Sequence, residues 1–148
     1  MAVADDGLFP VLDLTDLDGI ELTESVVSAT KWTYVIDYRN RRAVFDDAGH
    51  PTKTRTYPEY LVQTALKILN TERFRYVLYG SEVGVERSEW SGWEDVEIKR
   101  DIEEALMAHA EIQRAEVRSM ERTGQEMHLS IFLIGVAGNA ELEEVIGI

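Results

Sequence analysis

Four glutamates lie close together in the stretch LNTERFRYVLYGSEVGVERSEW, residues 69–90, among aromatic side chains and two glycines. They are Glu72, Glu82, Glu86 and Glu89. Two carboxyl groups held roughly 5–9.5 Å apart beside a sugar-binding groove can carry out glycoside hydrolysis. The aromatic residues available to line such a groove are Tyr76, Tyr79, Trp90 and Trp93. The stretch therefore raises the hypothesis of a carbohydrate-cleaving site built on Glu72 with Glu82 or Glu86.

The residues beside these glutamates favour a structural role instead. Arg73 follows Glu72, and Arg87 follows Glu86. A nearby cation stabilises the ionised carboxylate, which is the opposite of what a general acid needs. Because Glu72 and Arg73 come just after a predicted helix, we expect them to tie a loop to backbone amides or to bind a neighbouring chain.

The first part of the chain is predicted to form an arm, a hairpin and a helix. Residues 1–30 are acidic, with two glycines and one proline, and we expect an extended N-terminal arm there. Two β-rich runs, Lys31 to Tyr38 and Arg42 to Asp46, suit a hairpin. A T-x-x-E capping box that starts at Thr56 predicts a helix over residues 57–70.

A short aromatic strand and a turn are predicted after that helix. Phe74, Tyr76 and Leu78 alternate, as the core-facing side chains of a strand do. Gly80 and Gly84 suit the turn, because glycine adopts positive φ angles without steric cost. On this interpretation the glutamates border a strand and a turn.

A second capping box, Ser91 with Glu94, predicts a helix that ends near residue 109. Helical spacing points four of its side chains inward, namely Ile98, Ile102, Ala105 and Leu106. The polar residues of the same helix are expected in solvent, namely Glu97, Arg100, Asp101, Glu103 and Glu104.

The last part of the chain is β-rich. Segments 111–121 and 126–138 suit a long hairpin, and the apolar run Ile131 to Val136 predicts a central or doubly covered strand. NAELEEVIGI, residues 139–148, suits either a helical turn or a short strand, and residues 141–148 are predicted to be a C-terminal tail. The predicted fold class is α+β: one small domain, residues 31–140, with two α-helices packed on a mostly antiparallel β-sheet and an extended N-terminal arm.

The composition argues against several kinds of site and partner. The chain has 148 residues, no cysteine and three scattered histidines, so a disulfide or thiolate metal site is impossible and we expect no metal or cofactor. A formal charge of −13 argues against a nucleic-acid partner, because phosphate binding needs clustered lysine and arginine. No segment has the roughly 18 apolar residues of a membrane helix, and the N-terminus lacks a signal-peptide pattern, so we expect no membrane partner.

The order of these elements, together with two local segments, resembles a known family. LVQTALKILNTERFRYVLYGSEVGVE is similar to that family's helix ending in L-N-T-E-R, aromatic strand, and glycine before an acidic residue. DIEEALMAHAEIQRAEVRSM is similar to its helix, small residues and strand. The family is the sheath-initiator or lysozyme-like baseplate wedge family of contractile tails, in its Gram-positive prophage branch, with relatives in type VI secretion and extracellular injection systems. The resemblance covers about residues 32–138.

One sequence motif of this family can be matched to individual residues of the chain. Many members begin the third strand with E-P-R, implicated in docking onto neighbouring wedge proteins, and the matching residues here are Glu116, Val117 and Arg118. The proline is therefore missing. Strand alternation places Glu116 and Arg118 on one face, where they could bind a partner, although an ordinary solvated face fits the pattern equally well. With Glu72 and Arg73, they are the predicted partner-binding residues.

The resemblance implies a structural, non-enzymatic part of the baseplate of a virion or injection particle, assembled in the host cytoplasm. Six copies would contact other baseplate wedge proteins, the central hub or spike and the sheath protein. The first sheath ring would be templated by strand augmentation, on an acceptor sheet formed by Leu129, Ile131, Leu133 and Val136. The alternatives are a peptidoglycan-cleaving, lysozyme-like enzyme of the tail and a free-standing adaptor.

Overall fold

The computed structural model describes residues 31–75 and 83–148, and these form two antiparallel sheets and three helical segments. In chain order the elements are β1 (Ile36–Asp37), β2 (Arg42–Ala43), α1 (Tyr57–Leu69), a 3₁₀ helix (Arg87–Gly92), α2 (Asp95–Met107), β3 (Ile112–Thr123), β4 (Glu126–Gly135) and β5 (Asn139–Gly147). The α+β class predicted from the sequence is confirmed. The predicted N-terminal arm lies outside the described residues.

The larger sheet has the order β3-β4-β5, with antiparallel pairing throughout. The predicted long hairpin is therefore confirmed, and β4 is its central strand. The C-terminal segment takes the strand alternative, because β5 pairs with β4 from Asn139 to Gly147. The boundary predicted after residue 140 consequently falls inside a strand.

The first helix begins and ends where its sequence signals place it. The Thr56 side chain accepts a hydrogen bond from the Glu59 amide at 3.3 Å. At the other end the Asn70 side-chain amide donates to the Leu66 carbonyl at 2.8 Å. These contacts pair backbone groups that a helix terminus leaves unsatisfied, and the predicted helix over 57–70 is confirmed as α1.

The second helix begins three residues later than the Ser91 capping box predicts. Residues 87–92 form a separate 3₁₀ helix that buries Trp90 completely. The N-cap of α2 is Glu94, whose backbone N–H donates to the Glu97 side chain at 3.2 Å. Burial of a large aromatic side chain stabilises the 3₁₀ turn at this point, and the α-helix starts only after that turn.

The core lies between the two α-helices and one face of the larger sheet. Alternate residues of β4 are buried on that face, namely Met127, Leu129, Ile131 and Leu133. The four residues predicted to face inward from α2 are all buried as well. The helix α1 approaches the sheet closely at Gly135, where an added Cβ would lie 2.7 Å from both Leu61 Cδ1 and the Tyr57 hydroxyl.

The β1–β2 hairpin packs beside α1. Its strands are shorter than the sequence predicts, and a four-residue turn, Tyr38–Arg41, joins them. The Ile36 amide donates to the Gln63 side chain of α1 at 3.2 Å. A polar contact therefore joins the hairpin to the middle of the helix α1.

The predicted aromatic strand lies partly outside the described residues, which include neither Tyr76, Leu78 nor Gly80. For Phe74 the prediction is wrong, because this side chain is 64% exposed and its φ is +66°. The prediction for Gly84 is confirmed, since its φ is +91°. An added Cβ at Gly84 would also lie 2.3 Å from the Thr71 carbonyl oxygen, so only glycine fits there.

Candidate partner-binding site

A buried carboxylate, Asp101, lies at the centre of the region that contains Glu72 and Arg73. Its side chain binds the Arg73 guanidinium at 3.0 Å, and it accepts hydrogen bonds from the Trp90 indole at 2.8 Å and the Glu86 amide at 2.9 Å. Asp101 is 5% exposed. The sequence placed this residue in solvent, and that prediction is wrong: its spacing from Ile98 puts it on the buried stripe of α2.

Glu72 and Arg73 fasten two segments of the chain together. The Glu72 carboxylate accepts hydrogen bonds from the Ser88 hydroxyl at 2.6 Å and the Ser88 amide at 3.2 Å. Arg73 donates through Nε to the Gly84 carbonyl at 3.1 Å and keeps only 16% of its side chain exposed. These contacts match the alternative in which the pair ties a loop to backbone groups.

Two of the four aromatic residues that could line a sugar-binding groove, Trp90 and Trp93, lie in the described part of the chain. Trp90 is fully buried, with its indole N–H used by Asp101. Trp93 is half-buried and packs on the core. Glu82, Tyr76 and Tyr79 lie outside the described residues. Within the described ranges, no three histidine or acidic side chains cluster as metal ligands would.

The outer face of the larger sheet carries the other predicted pair. Glu116 and Arg118 are both exposed, and Glu116 lies opposite Phe132 on β4. Arg118 lies at a β-bulge between Val117 and Ser119. The Arg118 guanidinium lies 4.2 Å from the Phe132 ring centre and 2.8 Å from the Glu141 carboxylate on β5. Because both charges are largely exposed, this ion pair stabilises the fold by less than about 1 kcal/mol, and Arg118 remains accessible.

Three of the four residues predicted to contact the sheath have side chains that face the core. Leu129, Ile131 and Leu133 are at most 3% exposed, because their side chains face the helices. Val136, just beyond β4, is 58% exposed. These three side chains therefore belong to the core, and any partner of this sheet meets its edges or its outer face.

The two edges of this sheet differ in how far they are covered. On β3, the Val117 amide points away from β4 and donates to the Glu103 side chain of α2 at 3.1 Å. Arg122 of the same strand binds Asp95 at 2.9 Å. The start and middle of α2 therefore lie against the β3 edge.

In the described part of the chain, the β5 edge is open along its centre. Two backbone hydrogen bonds close the ends of the β4–β5 ladder: the Gly135 amide donates to the Gly138 carbonyl, and the Ile148 amide donates to the Gln125 carbonyl. With the register of the two strands, they show which β5 amides point toward β4. By alternation, the N–H groups of Glu141, Glu143 and Val145 point away from β4. No described residue accepts a hydrogen bond from these three amides. Among residues 31–75 and 83–148, the one contact on this side is at the end of the strand, where Arg87 Nε donates to the Gly147 carbonyl at 2.9 Å.

Glu111 forms a second polar cluster, at the start of β3. Its carboxylate accepts a hydrogen bond from the Tyr57 hydroxyl at 2.9 Å and pairs with Lys31. The Lys31 and Tyr57 hydrogen bonds lower the pKa of Glu111 below its usual value. Burial lowers the pKa of nearby His109, whose Nδ1 accepts a hydrogen bond from the Glu111 amide at 3.2 Å. His109 is thus kept neutral in its role as an acceptor.

The fold and these surfaces define a small α+β domain with an open strand edge and a charged outer sheet face. None of the helices in the described ranges is long and apolar enough to cross a membrane. The chain is 31% identical over 147 residues to the phage-like element PBSX protein XkdS of Bacillus subtilis strain 168, a match that covers 95% of this chain and 96% of the relative. The chain therefore belongs to the XkdS family of phage-like element proteins. No protein-family model matches it.

Proposed function

We propose that this protein is a structural baseplate component of a contractile tail or injection particle. In this role it links wedge proteins to the sheath and starts the first sheath ring by accepting a strand from a sheath subunit. By the family resemblance it is present in six copies and also contacts the central hub or spike. Membership in the XkdS family supports the wider part of this proposal, a role in a phage-derived particle.

The open β5 edge is the observation that carries the strand-acceptor role. An added strand binds through backbone hydrogen bonds, and it needs a row of unpaired N–H and C=O groups. Glu141, Glu143 and Val145 offer such a row, with their side chains on the outer face. Natural sheets usually cover or charge an exposed edge to prevent unwanted pairing. The two glutamates suit this need and favour a partner strand with basic side chains.

Deletion of the gene tests the assembly role. We expect particles that lack a polymerised sheath, seen as bare tubes or free baseplates by electron microscopy. Normal sheathed particles from the deletion strain would refute the proposal.

A pair of proline substitutions tests the β5 edge itself. Glu143→Pro removes an N–H that points away from β4, and proline is tolerated at such edge positions. We expect a folded protein that no longer supports sheath assembly. Glu144→Pro removes an N–H that pairs with β4, so it should lower stability instead. Normal sheath assembly with a folded Glu143→Pro protein would argue against β5 as the acceptor.

We further propose that the protein has no catalytic activity of its own. Glu72 is held by Ser88, and Glu86 lies 4.0 Å from the Arg73 guanidinium. Both carboxylates are thus engaged in contacts within the domain. The purified protein should leave peptidoglycan intact. Clearing of peptidoglycan that is lost in Glu72→Gln or Glu86→Gln would establish the enzyme alternative.

A further inference from the structure

A groove between the β1–β2 hairpin and α1 has two adjoining parts. The apolar part, about 530 Å³, is lined by Trp32, Tyr34, Ile36 and Ile68 among others. The arginine part, about 600 Å³, is lined by Arg41, Arg75 and Arg87. Ile36, Tyr38 and Thr71 line both parts, so the two form one continuous surface, named here the hairpin groove.

Large apolar side chains are exposed along the hairpin groove. Trp32 is 49% exposed, Tyr34 is 47% exposed and Ile36 is 36% exposed. Alternate residues of an extended segment point to one side, so these three form a row that faces the same space. A row of exposed aromatic and aliphatic side chains beside a cavity is typical of a binding surface.

The charge of the hairpin groove is opposite to that of the chain as a whole. The described residues that line the apolar part include Lys67 but no Asp or Glu. The arginine part has one acidic lining residue among those described, Glu72, beside its three arginines. Arg41 of the hairpin turn and Lys67 of α1 form no ion pair with a described residue, which is unusual in a chain with a formal charge of −13.

The third arginine, Arg87, is held in place rather than free. Its Nε donates to the Gly147 carbonyl at 2.9 Å, and its Nη1 lies 3.5 Å from the Asn70 side chain. Burial lowers the pKa of Arg87, while the nearby Glu72 and Glu144 raise it. Arg87 therefore has partial compensation within the domain, and an anionic ligand would be recognised mainly by Arg41 and Lys67.

The N-terminal segment has the composition that this groove requires. Residues 1–30 contain seven Asp or Glu and no Lys or Arg, which gives a formal charge of −7. Within LFPVLDLTDLDGIEL, residues 8–22, apolar side chains alternate with carboxylates over short runs. The apolar side chains match the aromatic part of the groove, and the carboxylates match the arginine part.

The N-terminal segment joins the described chain beside the hairpin groove. The described chain begins at Lys31, and Trp32 already lines the groove. Residues 25–30 therefore separate the last carboxylate of the segment, Glu24, from the groove. Six residues can span about 20 Å, so the segment can reach the groove without strain.

We propose that the hairpin groove is the docking site of the chain's own acidic N-terminal segment. The apolar side chains of residues 8–22 cover Trp32, Tyr34 and Ile36, and the carboxylates pair with Arg41 and Lys67. This interaction is independent of the proposed role in sheath assembly, so either can fail without the other.

A spin label on the N-terminal segment tests the proposal in the full-length chain. The chain has no cysteine, so Thr15→Cys gives a single labelling position. We expect the oxidised label to weaken the amide NMR signals of Ile36, Tyr38 and Ile68, relative to the reduced label. The double variant Arg41→Gln/Lys67→Gln should restore these signals.

A matched control and a mixing experiment make the test decisive. Lys99→Gln/Arg100→Gln removes two positive charges from the exposed face of α2 and should leave the signal loss unchanged. Unweakened signals at the groove in the labelled chain would overturn the proposal, and so would a loss that Arg41→Gln/Lys67→Gln leaves intact. In a second sample, spin-labelled chain without isotope label is mixed with isotope-labelled chain that carries no spin label. Signal loss in this mixture would assign the contact to a second copy and would also overturn the proposal.

Discussion

Removal of the Asp101 carboxylate is the substitution expected to damage this fold most directly. Asp101→Ala leaves the Arg73 guanidinium without its ion-pair partner at 3.0 Å. It also leaves two N–H donors without an acceptor, the Trp90 indole and the Glu86 amide. The affected groups come from α2, the 3₁₀ helix and the segment after α1, so the loss loosens three parts of the structure together.

The expected cost is about 3–5 kcal/mol in the free energy of unfolding, the range for breaking a buried ion pair by removing one partner. Each unpaired donor alone would cost about 1–3 kcal/mol, but water that enters the space left by the carboxylate offsets part of this. A domain of this size has a stability of about 5–15 kcal/mol. The melting temperature should therefore fall by roughly 10–15 °C.

Urea unfolding followed by tryptophan fluorescence measures the effect, because Trp90 belongs to the network. Glu104→Ala is the control: this exposed residue lies on the same helix and pairs loosely with Arg100 at 3.9 Å. Its cost should stay within about 0.5 kcal/mol. In a double-mutant cycle, Asp101→Ala with Arg73→Ala should cost less than the sum of the single changes, since no uncompensated charge remains. A cost below about 1 kcal/mol for Asp101→Ala would refute the reasoning.

Two further predictions concern a glycine and a carboxylate. Gly84→Ala should lower stability by about 2 kcal/mol or more, because φ is +91° and the new Cβ would meet the Thr71 carbonyl. Gly92→Ala, with open space around it, should have little effect, and equal urea midpoints for the two variants would contradict this. The folded-state pKa of Glu111 is lowered, so its contribution to stability is present above the unfolded-state pKa of 4.5 and is lost as the pH falls through the folded-state value. The midpoint difference between the natural protein and Glu111→Gln should accordingly be present near neutral pH and disappear in acid, and a difference that grows in acid would show the opposite sign.

Local sequence signals determined the helices and the long hairpin of this protein. Thr56 caps α1 because its hydroxyl reaches an amide three residues ahead, a contact that requires no other part of the chain. The inward residues of α2 follow from helical spacing in the same way. Asp101 occupies that inward stripe too, so its burial could have been predicted from spacing alone. Its acidic character favoured the solvated face in our interpretation.

The orientation of β4 was decided only by tertiary structure. Its run of apolar residues fits a strand with either face buried, and the period of two assigns Leu129, Ile131 and Leu133 to a common face without saying which partner covers it. Packing of both helices on one side of the sheet buries these three residues and leaves Phe132 beneath Arg118. A sequence pattern cannot distinguish a side chain that binds the core from one that binds another protein, because the same apolar chemistry serves both.

The amino-acid sequence by itself determined the elements, the α+β class and the resemblance to a phage-derived family, since these depend on local propensity and order along the chain. Tertiary structure decided which surfaces are free to bind. It placed Glu72 and Arg73 in internal contacts and covered the β3 edge with α2, whereas no described residue pairs with the centre of the β5 edge. The availability of an edge depends on residues far apart in the sequence, and only the folded arrangement brings those residues together.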